Sequence, residues 1–320
     1  MMDMRGLKKR EWLEFTFQNT GEAIRFPVGT IYGKNPGPTM VVVGGMHGSE
    51  FCGIQAAIDL FNEVDPANLR GTLVVCTIYN LPAFQNHMGF VVPQDGRNPG
   101  GTFPGKLNGT FSEVMAHHLN EHVLSQADYY VELHGGDIPE SLTPFVMCPL
   151  TGNAEVDKKI DEMAEAYNIP LIIHRPVQAS DKPASGFTKV ALRGVPAILT
   201  ESGQQGILNM DDAQVHLTGL KNILIKLGMM DGQIVNTVRR TYLDARAAIR
   251  SPIAGYWVPC VKLNQQVAKE EVVGEIRDYF GSRLMEIRMP DDALVTVVRT
   301  SPSVGVGNVL VELHSIVKHA

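Results

Sequence analysis

Four residues of this chain have the types and positions to do chemistry together. His47 and Glu50 stand three apart in "VVVGGMHGSE" (41–50), where an apolar run stops at two glycines. His134 ends a second apolar run in "YVELHGG" (130–136), and Glu201 ends a third in "AILTESG" (197–203). Imidazole nitrogen and carboxylate oxygen are both zinc donors, and a catalytic zinc keeps three protein ligands and one open position. A His-x-x-Glu pair alone has a plainer explanation: a carboxylate favoured at a helix N-terminus beside a solvated histidine. His134 makes that explanation have to hold twice, so the three together read as a His2Glu metal set. Glu201 at the end of an apolar strand would be partly desolvated. That lifts a carboxyl pKa toward that of a useful general base. The plainer alternative is a carboxylate paired with a nearby arginine such as Arg193. With a metal activating water, Glu201 would take the proton and pass it to a leaving nitrogen.

These residues can meet only if strand ends converge. The run 39–45 is continuous and β-branched, as expected of a strand covered on both faces. Residues 50–64 have helical periodicity, 71–80 read as a buried strand, and 110–127 as a helix starting at Thr110 or Ser112. A strand at 128–136, a helix at 153–168, a strand at 195–203 and a helix at 211–229 follow. The short strands of 11–33 precede them. Strands alternating with helices predict an α/β fold with a mostly parallel or mixed sheet flanked by helices. Ligands in such sheets sit at the carboxyl ends of strands, and His47, Asn80, His134 and Glu201 all lie there. After about residue 235 the pattern changes to short strands punctuated by Gly, Pro and Asp pairs, which predicts a small all-β barrel or sandwich. The expected division is 1–238 for a catalytic unit and 239–320 for a β-rich one.

The segments "GGMHGSE", "YNLPAF", "DGRNPGGTFPG", "ELHGG" and "TESG", with the β-rich end, resemble the succinylglutamate desuccinylase/aspartoacylase family of the zinc carboxypeptidase-like clan. The resemblance covers most of the chain. It implies a zinc-carboxypeptidase-like fold and one zinc per chain held by His47, Glu50 and His134, with Glu201 as the catalytic glutamate. It also implies hydrolysis of an amide between a carboxylic acyl group and an amino acid or amine. The C-terminal segment resembles the biotinyl/lipoyl-like barrels that end many members. No lysine marks a hairpin tip and "IRDYFGSR" fills the comparable turn, so covalent cofactor attachment is not expected. A role in capping the site or in oligomerisation is.

One departure bears on the substrate. Family members carry an Asn-Arg pair in the middle loop that grips the substrate's carboxylate; this chain has Gly100 and Gly101 there. Nor does 81–94 hold the arginine that many members place shortly before the loop. Arginine is suited to planar, bidentate carboxylate recognition. Three readings follow: the charge comes from Arg97, Arg175 or Arg193; the substrate lacks that carboxylate; or the chain is a non-catalytic binder. The intact zinc set and base favour the first two. Arg97 shares the loop and Arg193 precedes the strand of Glu201, so these two are first in line. Asn98, Gly100, Gly101 and His174 are further candidate substrate-binding residues, with the N–H groups of "NPGG" as oxyanion donors. His87, His117 and His118 read as surface positions.

Bulk properties bound the rest. Hydrophobic content of 44% and charged content of 19% are those of a soluble globular protein. The net charge of −6, with no basic stripe, gives no reason to expect nucleic acid. No apolar segment approaches a membrane span, and the start of the chain has no signal-peptide core. Four scattered cysteines without a CxxC pair read as free thiols, hence a cytoplasmic protein. The expected function is a zinc-dependent amidohydrolase on a small N-acyl amino acid or related amide, working as a homo-oligomer. The alternatives are a metallocarboxypeptidase on short peptides and a non-catalytic zinc-containing binder.

Overall fold

The computed structural model describes residues 4–180, 182–245 and 248–317. The chain opens with a long antiparallel hairpin, β1 (Leu7–Thr16) and β2 (Ala23–Tyr32), and continues into β3 (Asn35–Val43) and α1 (Phe51–Glu63). Then come β4 (Arg70–Cys76), α2 (Leu81–Gln85), α3 (Phe111–His122), β5 (Tyr129–His134), β6 (Glu140–Leu142) and β7 (Phe145–Leu150). The α/β part ends with α4 (Ala154–Ala166), β8 (Leu171–Pro176), α5 (Gly186–Leu192), β9 (Ala197–Glu201) and α6 (Met210–Lys226). Every expected helix and strand of this part is present, each within a few residues of its expected ends. β6, β7 and the short helices α2 and α5 carry too few periodic residues to announce themselves.

The main sheet has the order β1-β2-β4-β3-β5-β9-β7-β8 and then runs on into the C-terminal strands. β3, β4, β5 and β9 are mutually parallel, β7 is antiparallel to β9, and β8 is parallel to β7, so the sheet is mixed. Val41, Val42 and Val43 are fully buried, as a two-sided strand requires. The two faces can be told apart along β5. Leu133 packs against Gly53 of α1, where a Cβ would sit 3.1 Å from the leucine Cβ. Tyr130, Glu132 and His134 alternate to the opposite face, where Glu132 accepts the Phe187 N–H of α5. α6 packs on α1, and α4 on α6, completing the first face.

The C-terminal strands are β10 (Thr241–Ala245), β11 (Ile249–Arg250), β12 (Gly255–Pro259), β13 (Gln266–Val267) and β14 (Val272–Arg277). They continue with β15 (Arg283–Arg288), β16 (Ala293–Arg299), β17 (Ser303–Val304) and β18 (Val309–Ile316). No helix occurs there among the described residues, as the pattern predicts. β12, β14, β15 and β17 form a separate four-stranded sheet over a small core of Trp257, Val273, Ile276, Ile287 and Leu310. β10, β18 and β16, however, extend the main sheet, and β6 pairs with β16. Thus the β-rich part has its own core yet is hydrogen-bonded into the α/β part. Among the described residues no helix is long and apolar enough to cross a membrane.

Candidate metal centre and its cavity

The glycines after β3 let the backbone leave the strand abruptly. Gly45 has φ +65°, and Gly48 lies so close to Phe84 that a Cβ would meet the Phe84 nitrogen at 2.3 Å. The turn delivers His47 and, at the N-cap of α1, Glu50. The Glu50 side chain makes no capping hydrogen bond, so its position is not explained by the helix. Instead Oε1 lies 2.6 Å from His47 Nδ1 and Oε2 lies 3.0 Å from His134 Nδ1. All three residues are buried, and their donor atoms fall within 4.8 Å of one another.

The directions matter as much as the distances. Among the described residues Glu50 Oε2 has no well-directed hydrogen bond despite its 3.0 Å approach to His134. A buried carboxylate oxygen left unsatisfied beside two imidazoles fits a bound cation. Each histidine is also turned by its outer nitrogen. His134 Nε2 donates to Glu132 Oε1 at 3.0 Å, and His47 Nε2 donates to Asn98 Oδ1 at 3.2 Å. Such outer partners fix the tautomer and leave Nδ1 free for a metal. Glu132 is itself held by the Tyr130 hydroxyl at 2.8 Å and the Phe187 N–H at 3.0 Å. The donor set therefore suits a divalent cation.

The charges agree. Burial disfavours protonation of His47 and His134, but the Glu50 carboxylate outweighs it and raises both. Burial likewise opposes ionisation of Glu50, yet the two imidazoles bring its pKa down to about 2. The Glu50 carboxylate thus draws positive charge toward the two imidazoles, a role a bound cation would take over. Glu201 ends β9 level with His134 of the neighbouring parallel strand, on the same face. Its Oε2 is buried without a partner among the described residues. Burial, reinforced by Glu50, Glu140 and Glu312 against the pull of His134, holds its pKa well above the ordinary carboxyl value. On the other face, His216 donates from Nε2 to the His134 carbonyl at 2.8 Å and meets the Tyr167 hydroxyl through Nδ1. Burial lowers its pKa to about 4, so it stays neutral. It ties the end of β5 to α6.

Beside the triad a cavity of about 440 Å³ opens, with Gly100, Gly101, Arg175, Gln178, Ser185 and Thr188 in its walls. The candidate substrate residues divide around it. Gly100 and Gly101 line it, but their N–H groups are not available as oxyanion donors. Asn98 heads a tight turn in which its Oδ1 accepts from Gly100 N at 2.8 Å and its carbonyl from Gly101 N at 3.3 Å. Asn98 thereby orients His47 and the turn. Arg193 caps α5, at the end away from Glu201, and spends its guanidinium on Asn120 Oδ1 at 2.9 Å and the Leu124 carbonyl. These bonds hold the Arg193 guanidinium against α3 and the short turn after it. Arg193 does not pair with Glu201. Arg97 is exposed, and its charge is felt by Glu113 of α3. His174 faces α4, where its Nε2 meets Asp161 Oδ1 at 2.8 Å and its ring stacks on Tyr242. His118 stacks on Phe15.

Residues 36–227 match the model of the succinylglutamate desuccinylase/aspartoacylase catalytic domain. The chain belongs to this family. Among its relatives is the N-alpha-acetyl-L-2,4-diaminobutyric acid deacetylase of Halomonas elongata, 26% identical over 302 residues, which span 92% of this chain and 87% of that protein. Solved members share the fold. A succinylglutamate desuccinylase/aspartoacylase from Rhodobacter sphaeroides superposes with a TM-score of 0.85 at 22% identity, covering 98% of this chain and 96% of its own. The product-bound ectoine utilization protein EutE (DoeB) of Ruegeria pomeroyi gives 0.85 at 21%, covering 96% and 95%. The names of the Halomonas and Rhodobacter proteins are those of deacylases, and the mixed sheet with its appended antiparallel strands is common to the solved members.

Glu132, His216 and the orienting part of Asn98 are absent from the sequence reading. Glu132 had a signal: a carboxylate two residues before His134 in an otherwise apolar strand must share the histidine's face.

Proposed function

We propose that the protein is a zinc-dependent deacylase that hydrolyses the amide bond of a small N-acyl amino acid. The observation that supports it best is the convergence of His47, Glu50 and His134 on one point, with Glu201 on the same face. His47, Glu50 and His134 would hold the zinc, leaving a position for water. When bound, the metal lowers the pKa of that water and polarises the substrate carbonyl. Glu201 accepts the water's proton and delivers it to the leaving nitrogen; its buried, partnerless oxygen is suited to both roles. Asn98 and Glu132 keep both imidazoles in the metal-binding tautomer. His216 keeps the strand ends in register without taking a charge.

A finer reading concerns the leaving amine. Glu140 and Glu312 are half-buried, and their carboxylates make no hydrogen bond among the described residues. Both lie close enough to be felt at Glu201. Burial raises the pKa of both, Glu140 to about 8, so a cation beside them is what would return them to the charged form; a substrate with a second, cationic amine, as the relative named for acetylated diaminobutyrate suggests, would supply it. Buried free thiols at Cys52, Cys76 and Cys148 support a reducing compartment. The test is hydrolysis of Nα-acetyl-L-2,4-diaminobutyrate and a panel of other N-acyl amino acids by zinc-loaded protein. Turnover that disappears in Glu201→Gln supports the reading. Absence of turnover across the panel, with zinc bound, would favour a binding protein, and cleavage of dipeptides alone would favour a peptidase.

A further inference from the structure

We infer that Arg175 is the specificity-determining cation of this enzyme, seating the substrate's carboxylate in the cavity beside the metal triad. The inference rests on the deacylase reading above and names the residue that replaces the Asn-Arg pair this chain lacks.

Three observations carry it. Arg175 is the only charged side chain among the described residues that line the cavity. The same cavity is floored by Gly100 and Gly101, where the resemblance places the missing pair. A Cβ built on Gly100 lies 3.8 Å from His47 Nε2, so the cavity abuts the triad; one built on Gly101 meets nothing within 4 Å. The wall that would carry an arginine is thus bare and open, and the opposite wall supplies one.

Second, the face is right. Neighbours along a strand point to opposite faces. His174 is bonded to Asp161 of α4, on the face of α1 and α6. Arg175 therefore points to the other face, with Glu132, His134 and Glu201. Third, the guanidinium is unspent. It is exposed and makes no hydrogen bond or ion pair among the described residues, although Glu312 is near enough to feel its charge. Arg193, by contrast, is committed to Asn120 and Leu124. An unpaired planar fork of donors facing a cavity is matched by a carboxylate.

The experiment separates this inference from the deacylase reading by measuring binding as well as turnover. Calorimetry on Glu201→Gln compares Nα-acetyl-L-2,4-diaminobutyrate with its carboxamide, which differs only at the carboxylate. The acid should bind roughly ten- to a hundredfold more tightly, as a charge-assisted contact implies. Adding Arg175→Ala should erase that preference while leaving the amide's affinity unchanged, whereas adding Arg193→Ala should leave the preference in place. Adding Gly101→Arg to the Arg175→Ala background should restore part of it by returning the charge to the other wall. Equal binding of acid and amide, no binding of either, a preference that survives Arg175→Ala, or no restoration by Gly101→Arg in a folded protein would each overturn the assignment. Failure of turnover in the parent, with the binding pattern intact, would count against the deacylase reading alone.

Discussion

Two groups of side chains in this molecule look alike as lists of donors. His47, Glu50 and His134 form one; Cys148, Asp161 and His174 form the other, and in each the donor atoms lie within 4.8 Å. Their surroundings differ. In the first, both imidazoles are turned from behind by Asn98 and Glu132, all three residues are buried, and one carboxylate oxygen is left without a partner. In the second, the outer carboxylate is 44% exposed at its side chain, and among the described residues no hydrogen bond to its other ring nitrogen turns His174 from behind. Cys148 is fully buried, and burial, reinforced by Asp161 and Glu165, pushes its thiol well above the usual value. A thiol binds metal as thiolate, so this one is kept in the wrong form. Proximity of ligand types does not make a site; orientation from outside and an uncompensated inward charge do.

Removing one member of each group should break the comparison most sharply. His47→Ala should abolish both metal binding and hydrolysis, while His174→Ala keeps about one equivalent of zinc per chain and its activity. Metal analysis and an activity assay on both variants decide it; loss of the zinc in His174→Ala would reverse the argument. Next in size is the base. Glu201→Gln should retain zinc and fold but lose turnover by a factor on the order of 100 to 10,000. A rate near that of the parent would show that another group moves the proton.

The outer partners come third. Glu132→Gln should weaken zinc binding by about 10- to 100-fold, read by competition with a chelator, whereas Asp161→Asn should leave the zinc affinity unchanged. The smallest effect belongs to the second group alone. The hydrogen bond that His174 donates to Asp161 raises the His174 pKa, with burial opposing. A folded pKa above the unfolded one adds stability that is complete below the unfolded value, about 6.5, and is lost as pH rises through the folded value. The pair is solvated, so its worth is about 0.5 kcal/mol or less. Asp161→Asn should therefore lower the melting temperature slightly near pH 5.5 and not at pH 8.5. An equal loss at both would mean packing rather than charge.

Much of the site was legible because its signals are local. A β-branched run stopped by glycines marks a buried strand end, and a histidine or glutamate placed there must face whatever the ends share. Asn98 was legible as a site residue but not in its role, since nothing in "GRNPGG" says that its side chain reaches a histidine 51 residues away. Arg193 misled for a related reason. Its closeness to Glu201 in sequence runs along a strand, and a strand carries its two ends apart.

The sequence by itself determined the donor types, the strand ends that present them, and the family. These depend on side-chain chemistry and on periodicities of a few residues. Tertiary structure alone decided which acceptors hold the imidazoles, which of three arginines faces the cavity, and that the C-terminal strands β10, β16 and β18 continue the main sheet. Those outcomes depend on strand order and register, and a register is settled by burying one face of each strand against partners distant in the chain.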